Sequence, residues 1–258
     1  MTMDHVARVV IAKRVTDFLI RRHPEAVAVW IEGSTAKGED RIHSDLEMVM
    51  ATRGESGVRS YRCIFENIVV EVDIESEEAA LRQASLVDSN WPMWADGYVR
   101  ALATYDPEGL VPRLAALAGN PDPAKVSRAL VFAFMGMYED LCKVRNFAIS
   151  KEEPLLRLMS TGFALDGVAR FVGLLNRQYF DGIRNLLTKP REFARLPAHF
   201  WEDFPRLLAA DGPAKELLER AERMHAECRE LLSASGNPPS EGLSIEQALE
   251  LGRLNRSG

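Results

Sequence analysis

The amino-acid sequence predicts an α+β fold, in which an N-terminal mixed sheet with helices is followed by a C-terminal bundle made only of helices. Two observations support this prediction. Apolar runs of strand length occur only before about residue 76, and the later sequence repeats apolar residues at helical spacing. The chain has 258 residues, 47% of them hydrophobic, which is enough for one large domain or two modest ones with real cores.

The N-terminal elements begin with a helix. Apolar residues recur at helical spacing over residues 5–22, and His23-Pro24 ends the pattern, because the residue before a proline is pushed out of the α region. Four strands follow, predicted over residues 26–31, 46–50, 61–65 and 68–74. The last two flank Glu66-Asn67, so we expect them to form a hairpin.

From about residue 76 onward the chain carries only helical signals. Helix-like spacing covers residues 76–87, 108–118, 124–149, 155–179 and 213–233. The clearest break is Asn120-Pro121-Asp122-Pro123, where two prolines flank a helix cap. We therefore predict two domains, residues 1–120 and residues 121–258.

Composition excludes several classes of protein. Lys+Arg number 32 and Asp+Glu 38, a net charge of −6, so the chain lacks the cationic field of nucleic-acid binders and would suit a cationic small ligand. A charge of −6 also suits solubility alone. Three scattered cysteines, Cys63, Cys142 and Cys228, fit reduced thiols in a bacterial cytoplasm. Charged residues interrupt the N-terminal apolar run, which excludes a secretory signal peptide. The sequence contains no run of about 18 apolar residues, so no membrane-spanning helix is predicted.

The most informative motif follows the first strand. Gly33 allows a tight turn, and Ser34 supplies a hydroxyl and an N–H that could cradle a phosphate. Ten residues later come Asp45 and Glu47, whose side chains lie on one face of a strand. Two carboxylates together with nucleotide phosphates make a sensible Mg²⁺ site. Taken alone, Gly-Ser is typical of an ordinary turn and Asp-x-Glu of a solvated strand face.

A second acidic motif lies on the next strands. In residues 71–75, Glu71, Asp73 and Glu75 alternate with apolar residues and therefore share one face. Like charges this close are costly unless cations relieve them, which favours a metal or a polyamine ligand over a plain exposed strand edge. The pattern leaves open whether Glu71 or Asp73 joins the metal ligands.

These motifs together resemble the nucleotidyltransferase superfamily, and most closely the aminoglycoside 4'-O-nucleotidyltransferases of the kanamycin nucleotidyltransferase type. The similar stretches occur in the same order between about residues 30 and 147: Gly33-Ser34, Ser44-Asp45-Leu46-Glu47-Met48, Val70-Glu71-Val72, Asp88-Ser89-Asn90-Trp91-Pro92 and Lys143-Val144-Arg145-Asn146. The resemblance implies a nucleotidyltransferase catalytic domain over residues 1–120 and a helical domain for substrate binding and dimerisation over residues 121–258.

The resemblance also implies roles for individual residues. Asp45 and Glu47 match Mg²⁺ ligands, and Glu139 matches the proposed general base. The matching nucleotide contacts are Ser34, Lys37, Ser44 and Lys143, to which the turn at Gly33 is added. The matching contacts to the antibiotic are Glu47, Glu71 and Glu139. Glu139 and Lys143 are four residues apart on a predicted helix, so an ordinary surface salt bridge is the alternative reading of that pair.

The function implied is Mg²⁺-dependent transfer of AMP from ATP, or of another nucleoside monophosphate, to a hydroxyl of an aminoglycoside, the 4'-OH being expected. Antibiotic resistance would follow. A homodimer with shared active sites is implied, with no nucleic-acid or membrane partner. Arg62 and Met135 stand where the relatives have acids, which puts the same antibiotic profile in doubt.

Two alternatives remain open. The chain could be a nucleotidyltransferase for another acceptor, such as a lincosamide, an RNA end or a protein hydroxyl. It could also be a non-catalytic nucleotidyltransferase-like binding module, although the fused helical half and the intact acids favour turnover. Trp91, Trp94 and Tyr98 could stack on a base or a sugar, or could only pack between domains.

Overall fold

The computed structural model describes residues 4–54, 59–237 and 246 and confirms the α+β prediction. The strands are β1 (Ala26–Ile31), β2 (Leu46–Thr52), β3 (Arg59–Phe65), β4 (Ile68–Ser76) and β5 (Leu102–Tyr105). The α-helices are α1 (His5–Arg22), α2 (Gly33–Ala36), α3 (Glu77–Ala84), α4 (Trp91–Val99), α5 (Leu110–Gly119), α6 (Pro123–Ser150), α7 (Glu153–Gly162), α8 (Arg170–Asn176), α9 (Phe200–Leu208) and α10 (Ala214–Ala234). A π-helix (Phe163–Ala169) joins α7 to α8, and two 3₁₀ turns span Ile183–Asn185 and Lys189–Glu192.

The chain forms two compact units that exchange short segments. Unit one comprises Met1–Leu86, Met93–Pro121 and Phe180–Ile183, and unit two comprises Val87–Pro92, Asp122–Tyr179 and Arg184–Gly258. A single cut after residue 120 does not describe this division, because residues 87–92 and 180–183 each cluster with the unit on the other side of the cut. The roles expected for the two domains remain predictions.

Unit one is built on a five-stranded mixed sheet. The strand order is β3-β4-β2-β1-β5, in which β2 and β4 pair in parallel and the other neighbours are antiparallel. Helix α1 and apolar residues of β1, β2 and β4 form the core on one face, and α3, α5 and Tyr98 of α4 cover the other. Along β4, the apolar residues from Ile68 to Ile74 are buried at every second position, as the alternating pattern predicts. The acids of β4 therefore lie on the face opposite α1.

Unit two is organised around the 28-residue helix α6. Asp122 caps this helix by accepting a hydrogen bond from the backbone N–H of Ala124 at 2.8 Å, with Pro123 in the first turn, as predicted. The helical stretch Glu153–Asn176 is long and apolar enough to cross a membrane by length and composition. Its most apolar window is 61% buried inside the protein, as in a core helix.

Several short elements were not predicted, among them α2, the two 3₁₀ turns and the three described next. Strand β5 has only four residues and lacks alternating burial, α4 begins at Trp91-Pro92, and α9 contains an internal proline, Pro205. Short length and proline both weaken the patterns on which the prediction depends.

Candidate functional site

The turn after β1 brings glycine against an acidic side chain. The backbone N–H of Glu32 donates to the carbonyl of Glu47 at 2.9 Å, which continues the β1–β2 pairing, and the chain then turns through Gly33 at φ +63°. A Cβ atom on Gly33 would lie 2.0 Å from Oε2 of Glu47. The backbone angle therefore favours glycine at this position, and a Cβ atom here would displace the Glu47 carboxylate.

The loop between α2 and β2 is closed by its own hydrogen bonds. The N–H of Arg41 donates to Oγ of Ser44 at 2.8 Å, and the N–H of Ser44 donates to the carbonyl of Arg41 at 2.9 Å. Ser44 is 8% exposed, so its hydroxyl holds the turn that precedes Asp45. Ser34 is half-buried in α2, and its carbonyl accepts from the N–H of Glu39 at 2.9 Å.

Lys37 is engaged within unit one. Its Nζ donates to Oδ2 of Asp96 and to the backbone carbonyl of Asp181, each at 2.9 Å, and its side chain is 6% exposed. The amine thus ties the segment Phe180–Ile183 to the loop after α2. A nucleotide phosphate would be an additional partner of this amine or would replace one of the two.

Carboxylates converge on one face of the sheet. Glu47 on β2 and Glu71 on β4 are register partners in a parallel pair, so their side chains lie on the same face. Desolvation raises the pKa of Glu47 above its ordinary value, and the negative charges of Asp45, Glu71 and Asp96 raise it further, while Lys37 opposes them. The face thus favours a cation.

Glu71 already has a cationic partner. Both terminal oxygens of Glu71 lie 2.5 Å from Nη2 of Arg62 on the neighbouring edge strand β3. Arg62 is 66% exposed, whereas Glu71 is 22% exposed. A ligand ammonium group would therefore compete with an exposed guanidinium for this carboxylate.

Two further acids at the site were not predicted, Glu32 and Asp96. The indole N–H of Trp30 donates to Oε1 of Glu32 at 2.8 Å. Burial raises the pKa of Glu32 to about 7 against this hydrogen bond, and the charges of Glu47, Glu75 and Asp96 act in the same direction as burial. Burial also raises the pKa of Asp96, against the hydrogen bond from Lys37. The position of Glu32 between a predicted buried strand and Gly33 could have indicated that it belongs to the site.

A small cavity adjoins these acids. It has a volume of about 240 Å³ and is lined by Glu32, Val49, Asp73, Glu75, Gln83 and Tyr98. Burial raises the pKa of Glu75, and the charge of Asp73 raises it further. Tyr98 also packs edge-on against Trp94, while Trp91, in unit two, is 1% exposed and makes an edge contact with Tyr179. Of the three aromatic residues singled out in the sequence, Tyr98 lines this cavity.

The side chains present fit a magnesium ion that takes some of its ligands from the protein and the others from a nucleotide. Within residues 4–54 and 59–237, no group of three or more His, Cys, Asp or Glu side chains is placed to hold a metal by itself. Asp45 and Glu47 supply two carboxylates, and Mg²⁺ commonly takes only one or two from the protein and completes its coordination with phosphate oxygens and water. Desolvation is the largest cause of the raised pKa of Glu47, and the like charges of Asp45, Glu71 and Asp96, which raise it further, are what such a cation would relieve.

The remaining predicted residues lie on α6 in unit two. Nζ of Lys143 is 3.2 Å from Oε1 of Glu139 and 2.9 Å from Oδ1 of Asp140. The hydrogen bonds that Lys143 donates to Asp140, the larger influence, and to Glu139 raise the pKa of Lys143. Glu139 is 74% exposed, so its carboxylate is accessible to a ligand. The i,i+4 salt bridge considered as an alternative is thus present, and it leaves one carboxylate oxygen of Glu139 available.

Comparisons with known proteins point in one direction. A family model described as the KNTase C-terminal domain matches residues 108–238. Two curated proteins, each described as "Aminoglycoside nucleotidyltransferase (4')", come from Bacillus sp and Staphylococcus aureus. Each is 24% identical over 200 residues, which cover 77% of this chain and 79% of the relative.

A solved structure shares the fold. The crystal structure of a nucleotidyltransferase-like protein from Exiguobacterium sibiricum 255-15 aligns with a TM-score of 0.53 and 13% sequence identity. The alignment covers 86% of this chain and 74% of that one. At this identity the likeness concerns the fold alone.

Proposed function

The chain belongs to the KNTase C-terminal domain family and is a nucleotidyltransferase, and we propose that it transfers AMP from ATP to a hydroxyl group of an aminoglycoside. The observation that carries this proposal is the carboxylate face of unit one. Glu47 lies against Gly33, and desolvation and then the nearby charges of Asp45, Glu71 and Asp96 raise its pKa. Such a face suits a metal–triphosphate complex and a polycationic acceptor.

In this proposal Asp45 and Glu47 hold Mg²⁺, and Gly33 and Ser34 form the turn beside the phosphates. The bound metal would neutralise and orient the triphosphate for in-line displacement. Lys37 and Lys143 add positive charge for the phosphates, and Ser44 holds the turn that presents Asp45. The residues thus bind and orient the nucleotide.

Glu139 accepts the proton of the acceptor hydroxyl, whose oxygen then attacks the α-phosphorus and expels pyrophosphate. Its high exposure leaves it accessible to an acceptor. Glu71 pairs with an ammonium group of the aminoglycoside in exchange for Arg62. We propose the 4'-OH as the acceptor, because both curated relatives carry that position in their descriptions.

We also propose a homodimer in which the partner subunit supplies Glu139 to the Asp45–Glu47 site. The proposal follows from the family resemblance and from the placement of the two sets of residues in different units. Free thiols at Cys63, Cys142 and Cys228 support the proposed location in a bacterial cytoplasm.

The test is release of pyrophosphate from ATP and Mg²⁺, with and without tobramycin, together with a mass spectrum of the antibiotic. We expect tobramycin-dependent release and a product heavier by one AMP group. Asp45→Asn should abolish most turnover, and Glu139→Gln should lower kcat by about 10²- to 10⁴-fold, the usual contribution of a general base. Asp17→Asn, which changes an exposed acid on α1, is the matched control.

Normal turnover by Asp45→Asn would contradict the metal assignment, and absence of any antibiotic-dependent release would contradict the proposed acceptor. For the dimer, mixing the two inactive variants under conditions of subunit exchange should restore up to about a quarter of wild-type activity, since a random mixture is about half heterodimer with one intact site of two. No recovery despite exchange would mean that each chain completes its own site.

A further inference from the structure

A buried arginine fastens α1 to the loop that carries Asp45. Arg8 is 1% exposed, and a charge buried to this degree must be paired and hydrogen-bonded. Its Nη1 donates to Oδ2 of Asp40 at 2.7 Å, and its Nη2 donates to the carbonyls of Arg41 at 2.6 Å and Ile42 at 3.0 Å. One guanidinium thus binds three consecutive residues of the loop.

The other side of this contact is equally constrained. The side chain of Asp40 is fully buried, and its Oδ1 lies 2.6 Å from Nδ1 of His5 in the first turn of α1. Asp40 therefore uses both carboxylate oxygens on α1. The residues preceding the metal-site acids are attached to this helix by a charged pair and two backbone carbonyls.

The attachment is transmitted to Asp45 through a closed turn. The carbonyl of Arg41 accepts from both Arg8 and the N–H of Ser44, and the N–H of Arg41 donates to the hydroxyl of Ser44. Asp45 follows Ser44 directly, and Oγ1 of Thr35 donates to its carbonyl at 3.4 Å. The position of the Asp45 backbone is thus determined from the start of β2, from α2 and, through the turn, from Arg8.

We propose that Arg8 is a positioning residue for the metal site: it fixes the 40–44 turn so that Asp45 and Glu47 present their carboxylates together. This inference rests on the proposed role of Asp45 as a metal ligand. The planar guanidinium can bind the carboxylate and both carbonyls at once, whereas a lysine amine is a point charge on a flexible stem. Loss of residues that orient metal ligands typically costs 10- to 100-fold in metal affinity or activity.

The test compares Arg8→Lys with Arg14→Lys, a matched change at an exposed arginine on the same helix. Hydrogen exchange measured by mass spectrometry on the apo-protein reports on residues 40–45. We expect about tenfold faster exchange there in Arg8→Lys, because the backbone bonds of the turn lose their anchor, and no change in β4. Arg14→Lys should leave both regions unchanged.

The second measurement is the Mg²⁺ concentration that gives half-maximal pyrophosphate release. We expect it to rise about 10-fold or more in Arg8→Lys while the KM for tobramycin stays within about twofold, a split that general loss of stability would not produce. Should Arg8→Lys fail to fold, Asp40→Asn keeps the shape of the buried pair and should shift both measurements in the same direction.

A folded Arg8→Lys or Asp40→Asn variant with wild-type exchange in residues 40–45 and a wild-type Mg²⁺ requirement would overturn the proposal. Faster exchange with an unchanged Mg²⁺ requirement would also overturn it, because the turn would then be dispensable for the metal site. If the wild-type chain showed no turnover, the proposed function would fail. The Mg²⁺ requirement of the variants would then be measured by calorimetry, as the Mg²⁺ concentration needed for binding of ATP.

Discussion

Replacing Glu32 by glutamine should stabilise unit one at alkaline pH and have almost no effect at acid pH. Glutamine has nearly the same shape and keeps an oxygen that can accept the indole hydrogen bond of Trp30. What it removes is a buried acid whose pKa is raised from 4.5 to about 7. The substitution therefore isolates the cost of ionising this carboxyl group in the folded protein.

The sign follows from proton binding in the two states. Between pH 4.5 and about 7 the folded protein keeps the proton on Glu32, whereas the unfolded chain has released it. The free energy of unfolding therefore decreases as pH rises through this range and levels off above it. The step from 4.5 to about 7 corresponds to about 3 kcal/mol, which the glutamine variant would not lose.

The assay is urea unfolding at pH 8 and pH 4.5 in the presence of a chelator. Unfolding is monitored by hydrogen exchange of the β1 amides, so that the free energy measured is that of unit one. Glu32→Gln should gain up to about 3 kcal/mol over the wild type at pH 8 and only a few tenths at pH 4.5. Glu230→Gln, at an exposed glutamate on α10, should differ from the wild type by less than about 0.5 kcal/mol at both values. A loss of stability at pH 8, or an equal gain at both pH values, would refute the argument.

Two further predictions concern the acids around Glu47 and Glu71. Gly33→Ala places a methyl group on the Glu47 carboxylate and should reduce turnover at least about tenfold. Gly38→Ala, at a similar positive φ of +69° but with open space around it, should cost about 1–2 kcal/mol of stability and keep its activity. Turnover and thermal unfolding of both variants check this prediction, and equal activities would contradict it. Arg62→Ala should lower the KM for tobramycin about two- to fivefold, because Glu71 loses a competing exposed guanidinium. Arg59→Ala on the same strand should leave this KM unchanged. Steady-state kinetics test the prediction, and an increased KM in Arg62→Ala would exclude the replacement of Arg62 by a tobramycin ammonium group.

Local patterns predicted the scaffold of the site well. Alternation along β4 placed Glu71, Asp73 and Glu75 on one face, and the cap at Asp122 marked the start of α6. Both depend on residues that are neighbours in sequence, for which period and capping chemistry are sufficient.

Contacts between distant residues could not be predicted in this way. Arg8 meets Asp40 across 32 residues, and nothing local distinguishes Arg8 from the other arginines of α1. The burial of Glu32 depends on Trp30 and on the helices that cover that face, so its raised pKa is a property of the packed sheet. Arg62 was recognised as a departure from the relatives, but the contact of its Nη2 with both carboxylate oxygens of Glu71 required the pairing of β3 with β4.

The excursion of residues 180–183 into unit one has a consequence for how the protein is made. The carbonyl acceptor of the Lys37 amine, at Asp181, is synthesised 144 residues after Lys37. This hydrogen bond therefore cannot form while the chain between them is still on the ribosome. Unit one can therefore be completed only after all of α6, α7 and α8 has emerged. A contact of this sequence separation slows folding, because a long loop must close before the contact contributes. A gene fragment that ends at residue 121 would encode all five strands but not the segment that anchors Lys37.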